Sequence, residues 1–252
     1  MPEKGQPTAS LKKIRAALPR FEIYEWRHAS AVLITDFPDE WRDIRDVLSR
    51  FKLLKSQVCV GGGSKSKMAG WIDSELTDNK GWDEREFETA IRIDKEEIQS
   101  PTHKVDCFKN RVGLEIEWNN KDPFFDRDLN NFRLLFDLRA LALGVIVTRS
   151  DDLQPLFKEL ARKKLKSKTA FGESTTHMGK LRPRLEGGAG GGCPVLAIGI
   201  TASLFTEDIS DDAARKLLAR LEEARAKKKA RKALSPQELD LLEAAKDDSE
   251  EE

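Results

Sequence analysis

The sequence has little cysteine: Cys59, Cys107 and Cys193 stand far apart and form no C-x-x-C pair. Thiols so placed exclude a disulfide framework and a structural zinc knuckle, and they fit a reducing, cytoplasmic compartment. There is no run of ~18 apolar residues, which excludes a transmembrane helix. The opening stretch MPEKGQPTASLKKIRAALPRF lacks the apolar centre of a secretory signal. His28, His103 and His177 have no metal-ligand spacing. An excess of charge of one sign is missing too, because 44 Lys and Arg balance 44 Asp and Glu. That excludes a uniformly basic nucleic-acid coat protein, but not a basic cleft on a balanced body.

What is present is a chain of 252 residues, long enough for one large domain or one domain with an appendage. Hydrophobic residues make up 39%, enough for a core, and charged residues 35%. The charge is uneven. Glu207 to Glu252 holds 14 acids and 10 bases, which leaves 34 bases and 30 acids for residues 1–206. Asp151 to Glu186 holds nine bases against five acids. The shift near residue 207 divides the chain into a body, 1–206, and a charged helical extension, 207–252, whose acidic end, DDSEEE, is expected to be disordered.

Along the body, the first residues read as a polar lead-in with one short amphipathic stretch. Phe21 to Ile34 reads as a strand or a helix start. Trp41, Ile44, Val47, Leu48 and Phe51 predict an amphipathic helix over Pro38 to Leu54. The segment GGGSKSK (61–67) fails the P-loop pattern and reads as a loop, with Lys65 and Lys67 near a phosphate at most. Trp71 and Trp82 read as core. Asp83 to Glu97 is mixed and highly charged, with Phe87 and Ile91 four apart. Val112, Leu114, Ile116 and Trp118 then alternate with Gly113, Glu115 and Glu117, a strand with one apolar and one acidic face. A helix over Asp126 to Ala142, a buried strand over 143–149, a basic-ended helix over Asp151 to Lys166 and a buried strand over 194–201 follow. Ser167 to Gly192 reads as a long Gly-, Thr- and Lys/Arg-rich loop, of a length that points to binding. The order indicates an α/β core with a mixed sheet flanked by helices. Beyond it, Asp211 to Lys232 and a capping box at Ser235 to Glu238 predict a charged helical hairpin.

The acidic strand carries the chemistry. Glu115 and Glu117 share a face because side chains two apart on a strand do. Lys109, Asn110 and Arg111 can turn the chain so that Asp106 returns beside Glu115. Three carboxylates at one spot repel unless a cation is present or one is protonated. Hard oxygen donors suit Mg²⁺, which stabilises charge on phosphate and activates water. The competing reading is an amphipathic strand with its acidic face in water. Glu84 is a further candidate acid, against a solvated carboxylate.

The segment VDCFKNRVGLEIEW (105–118) resembles the BglII/BstYI family of type II restriction endonucleases, in the PD-(D/E)XK nuclease superfamily. That family shows an Asp, eight residues, then Glu-x-Gln and an aromatic, matched here by Asp106, Glu115 and Trp118. Tyr24 with His28-Ala29, Trp41 and Ile44, Asn79 to Trp82, Phe124 to Arg139 and Cys193 to Ile200 are similar to further family segments, in order. Glu117 departs from the family's Gln and the superfamily's Lys, but BamHI-type enzymes carry Glu there too.

The resemblance implies a restriction-endonuclease-like α/β fold and Mg²⁺-dependent, site-specific cleavage of double-stranded DNA by a homodimer. It implies 5′-phosphate ends and a palindromic, GATC-centred site. Asp106, Glu115 and the Ile116 carbonyl would hold the metal. Glu117 would serve as base or second-metal ligand. Asn120 and the recognition loop around Ser174, Thr175, Thr176, His177, Lys180, Arg182 and Arg184 would contact DNA. A cognate DNA methyltransferase encoded nearby would be the functional partner. A less specific repair nuclease and a non-catalytic DNA-binding relative remain as alternatives.

Overall fold

The computed structural model describes residues 6–61, 66–166, 171–243 and 245. Helix α1 (Ala9–Ala17) starts at Thr8, whose hydroxyl accepts the Leu11 N–H at 3.1 Å. The stretch from Phe21 is strand and helix in turn: β1 (Phe21–Trp26), a turn with Arg27 and His28 at positive φ, and α2 (Ala29–Asp36). Helix α3 (Pro38–Arg50) buries Ile44, Val47 and Leu48 as the periodicity predicts. It stops short of the expected Leu54, because Phe51 is extended and lets β2 (Leu53–Leu54) pair with β10 (Phe205–Thr206).

Helix α4 (Lys55–Val60) follows. Residues 62–65 lie outside the described residues, and with them Lys65, while Lys67 opens α5 (Lys67–Lys80). The sequence reading assigned no element there. Ser66 caps α5 and Gly81 ends it in the left-handed region at φ 68°. Of the two tryptophans, Trp82 is buried and Trp71 half-buried. The charged stretch is β3 (Asp83–Arg85) and then a separate hairpin of β4 (Glu88–Ile93) and β5 (Glu96–Pro101).

The remaining elements are β6 (Val105–Lys109), β7 (Val112–Glu117), α6 (Pro123–Asp137), β8 (Leu143–Arg149), α7 (Leu153–Arg162), α8 (Met178–Glu186), β9 (Val195–Ile200), α9 (Asp211–Lys229) and α10 (Pro236–Glu243). Helix α8 corrects the reading of 167–192 as one loop. Met178, Leu181 and Leu185 bury a stripe that the surrounding Gly, Lys and Arg obscure in sequence, and residues 167–170 lie outside the described residues.

The central sheet has six strands in the order β1-β9-β8-β7-β6-β3. β7, β8 and β9 run parallel; β1, β6 and β3 are antiparallel to their neighbours. Helices cover both faces, which is why β8 and β9 read as continuous apolar runs. Val145, Val147, Leu196 and Ile198 face the layer built from α1–α5 and α7. Ile146, Val195 and Ala197 face α6 and α8, with Phe125, Leu129, Phe132, Met178 and Leu181. Gly144 is required where α6 crosses β8, since a Cβ there would overlap the Phe132 ring.

The C-terminal helices form as expected. The Ser235 N–H donates to Glu238 Oε2 at 2.9 Å and the Glu238 N–H to Ser235 Oγ at 3.3 Å, a closed capping box. Helix α9 lies on α4, with Leu221 against Val60 and the buried Lys55 Nζ 2.5 Å from Asp211 Oδ1. The acidic end, 246–252, is outside the described residues. No helix among the described residues is long and apolar enough to cross a membrane.

Candidate active site

The β6–β7 hairpin brings the acids together. Asn110 and Arg111 both take positive φ, 51° and 72°, and reverse the chain in two residues. The pairing Cys107↔Leu114 then sets Asp106 opposite Glu115. Asp106 Oδ2 accepts the Ile116 N–H at 2.9 Å, and Glu115 Oε2 accepts the Asp106 N–H at 3.4 Å. Lys109 anchors the hairpin from behind, donating to Asp43 Oδ2 at 2.8 Å and to the Lys80 carbonyl at 2.7 Å.

The acidic face of β7 is not in water. Glu115 and Glu117 are each 1% exposed, because α6 lies over them. That helix adds a fourth acid, Asp128, which is completely buried, and a guanidinium, Arg127. Arg127 Nε and Nη2 donate to Asp128 Oδ1 at 3.0 and 2.9 Å, and Nη2 stands 3.6 Å from Glu117 Oε1. Asp128 and Asn120 both act on Glu117, the carboxyl disfavouring its charged form and the amide favouring it.

Crowding and lost hydration push these carboxyls upward. Burial raises Glu115 well above the usual range, with Asp128, Asp106 and Glu117 adding repulsion. Burial and then Asp128 raise Glu117 in the same way. Asp106 rises through burial, against the pull of the Ile116 N–H. Asp128 is pushed up to about 6 by burial, opposed by Arg127.

A cavity of about 650 Å³ opens onto this cluster. Asp106, Ile116, Glu117 and Asn120 border it from the strands and the segment after them, Phe124 and Arg127 from α6, Asp73 from α5, and Glu84 from β3. Glu84 is exposed and 3.5 Å from Lys104 Nζ.

The donor chemistry fits a small hard cation. Glu115 Oε1, Glu117 Oε2 and Asp128 Oδ2 are buried with no hydrogen-bond partner. Four carboxyls face one guanidinium, an imbalance that a cation relieves. Among the described residues no group of three or more His, Cys, Asp or Glu is arranged to hold a metal ion by itself. Mg²⁺ commonly uses one or two carboxylates and fills the rest of its shell from water and substrate phosphate.

The residues expected to read DNA divide. The segment Gly172 to Thr176 is tied to the end of β7: the Thr176 N–H donates to the Asn120 carbonyl at 2.9 Å, and Thr175 bridges Lys121. The buried Arg149, at the end of β8, holds the same segment through the Thr176 carbonyl at 3.0 Å and the Gly172 carbonyl at 3.2 Å. Ser174 is exposed, Thr175 half-buried and Thr176 buried. His177 is half-buried, with Nδ1 2.5 Å from Asp151 Oδ1. Lys180, Arg182 and Arg184 lie on α8. Lys180 stands 3.4 Å from Asp122, and Arg184 grips Asp126 through Nε at 2.8 Å and Nη2 at 3.1 Å. Arg182 instead stacks over Tyr24 of the edge strand, 4.9 Å from the ring centre, and faces Glu22 and Glu186.

Sequence reasoning missed Arg127, Asp128 and Asp73. For Asp128 a signal exists: Phe125, Asp128, Leu129 and Phe132 occupy one helical face, and a lone acid in an apolar stripe needs a reason. Asp73, which accepts the Cys107 thiol at 3.5 Å, carries no such mark.

Residues 21–200 match the family model described as restriction endonuclease BglII/BglIII. No curated protein gives a significant match.

Proposed function

The chain belongs to the BglII/BglIII restriction endonuclease family and is a type II restriction endonuclease acting on DNA, and on that premise we propose how it cuts. Asp106 and Glu115, with the Ile116 carbonyl, hold Mg²⁺, and Glu117 serves the attacking water. The observation that carries this assignment is the pair of buried carboxylates, Glu115 and Glu117, each with an unpartnered oxygen, on a strand whose Glu117 borders a cavity together with Asp106. When bound, the cation supplies Lewis-acid charge for the phosphate and the attacking water.

The protein's part is placement. The Ile116 N–H orients Asp106. Asn120 and Arg127 flank Glu117 and favour its ionised form once the cluster's excess charge is neutralised. Glu117 accepts the proton of the water whose oxygen bonds to phosphorus while the P–O3′ bond breaks, and the departing O3′ takes a proton from solvent water. The products are a 5′-phosphate and a 3′-hydroxyl.

Recognition is assigned to Asn120, which reads a base edge, and to the Ser174–Arg184 segment, with Lys180 on phosphate. The enzyme acts as a homodimer whose two-fold axis matches a palindrome centred on GATC. A neighbouring methyltransferase protects the host sites. The cutting body is 1–206, with 207–252 as an extension to it. Glu84, exposed at the cavity rim, is assigned no step.

The test is Glu115→Gln. It should abolish Mg²⁺-dependent cleavage of long DNA and keep Ca²⁺-supported binding. Near-normal cleavage refutes the assignment. Mapping the ends cut by the parent enzyme tests the site and the end chemistry.

A further inference from the structure

The cavity that receives the phosphate is bordered by Asp73, Asp83, Glu84, Asp106 and Glu117, and a phosphodiester entering among them is repelled. Arg127 is the arginine on that wall. Its guanidinium is not free to wander. Nε and Nη2 are both bound to Asp128 Oδ1, and the Phe124 ring lies 4.3 Å beneath the guanidinium carbon. Nη1 makes no hydrogen bond among the described residues, and the side chain remains 33% exposed.

Asp128 is costly where it is. It sits between Phe125 and Phe132 on the buried stripe of α6, fully removed from water, and Oδ2 has no hydrogen-bond partner. A buried ion pair is weak evidence for stability, since an apolar side chain of similar volume is often as good or better. What the pair does achieve is a guanidinium fixed in place before substrate arrives, 3.6 Å from Glu117. Such preorganised donors act most strongly where charge grows during reaction. A planar guanidinium matches phosphate oxygens better than an ammonium.

We propose that Arg127 is a further catalytic residue, donating to a non-bridging oxygen of the phosphate being cleaved, and that Asp128 is the positioning residue that holds it there. The proposal rests on the site assignment above and adds a group drawn from the helix to those of the hairpin.

Single-turnover cleavage of a duplex carrying the mapped cut site tests it. Arg127→Ala slows cleavage by roughly 10²–10³-fold, the loss typical of one preorganised donor. Added guanidinium ion restores part of the rate, which it does not do for a residue that only supports the fold. Asp128→Asn slows cleavage as well, and Arg127→Ala/Asp128→Asn is no slower than Arg127→Ala, because the second residue acts through the first. Arg127→Lys keeps the stem over Phe124 and the charge, so that folding is preserved, and falls by about ten-fold or more for want of the planar fork.

Parental rates for Arg127→Ala or Arg127→Lys overturn the proposal. So does a folded, slow Arg127→Ala that guanidinium does not accelerate, and additive losses remove Asp128 from its role. Glu115→Gln, run alongside, separates the failures. If it also cuts at the parental rate, the site assignment falls; if it is inactive while Arg127→Ala is not, only the role of Arg127 falls.

Discussion

Asp128→Asn should make the metal-free enzyme more stable while making it slower. The Asp128 carboxyl is fully buried and is pushed from 3.8 to about 6, chiefly by lost hydration and against the pull of Arg127. A folded pKa above the unfolded one means that the folded chain holds a proton over a range where the unfolded chain has released it. The associated stability is fully present below 3.8 and is lost as pH rises through about 6. A shift of roughly two units at ~1.4 kcal/mol each amounts to about 3 kcal/mol. Asn has nearly the same shape, never ionises, and keeps an oxygen for Arg127.

The variant should therefore match the parent below about pH 4 and exceed it by about 1–3 kcal/mol above about pH 6.5. The lower figure applies if Arg127 suffers from losing its counter-charge. The raised Glu115 and Glu117 make the parent's own stability fall in the same direction as pH rises. Urea unfolding in EDTA, followed by tryptophan fluorescence across this range at one protein concentration, measures the gap. An Asp128→Asn chain less stable than the parent at neutral pH refutes the reasoning. A gap as wide in acid as at neutrality does the same.

Gly144→Ala should destabilise the fold by about 1–3 kcal/mol, because the new methyl overlaps Phe132, and Phe132→Leu in the same chain should recover part of the loss in thermal unfolding. A chain ending at Thr206 should still cut DNA, with a lower Tm because Lys55 and Val60 lose their cover from α9. A folded dimer of that length that does not cut overturns this. Asn120→Ala should cost ~1–3 kcal/mol on the true site and little on a scrambled duplex, and equal losses on both remove it from base reading. Lys180→Ala should weaken both duplexes alike and lower the salt slope by about one, as titrations at several salt concentrations will show.

Much of this was legible in one dimension. Period two over Val112–Trp118 marks the strand, and the Asn110-Arg111 turn with the Asp106-to-Glu115 spacing marks the convergence of the acids. The apolar runs at 143–149 and 194–201 mark strands covered on both faces, and Ser235 with Glu238 marks a helix start. These are short-range features: alternation, a turn and a cap depend on residues a few positions apart, and sequence order carries that distance directly.

The tertiary structure decided the rest. Whether Glu115 and Glu117 face water or protein depends on where α6 lands, and it lands on them. That docking brings Asp128 and Arg127 to Glu117, which lies ten or more residues away in the chain. Docking also turns α8 so that Lys180 and Arg184 meet Asp122 and Asp126 while Arg182 meets Tyr24. Burial and electrostatic coupling depend on through-space neighbours supplied by other elements, and the local pattern of a single helix or strand does not name them.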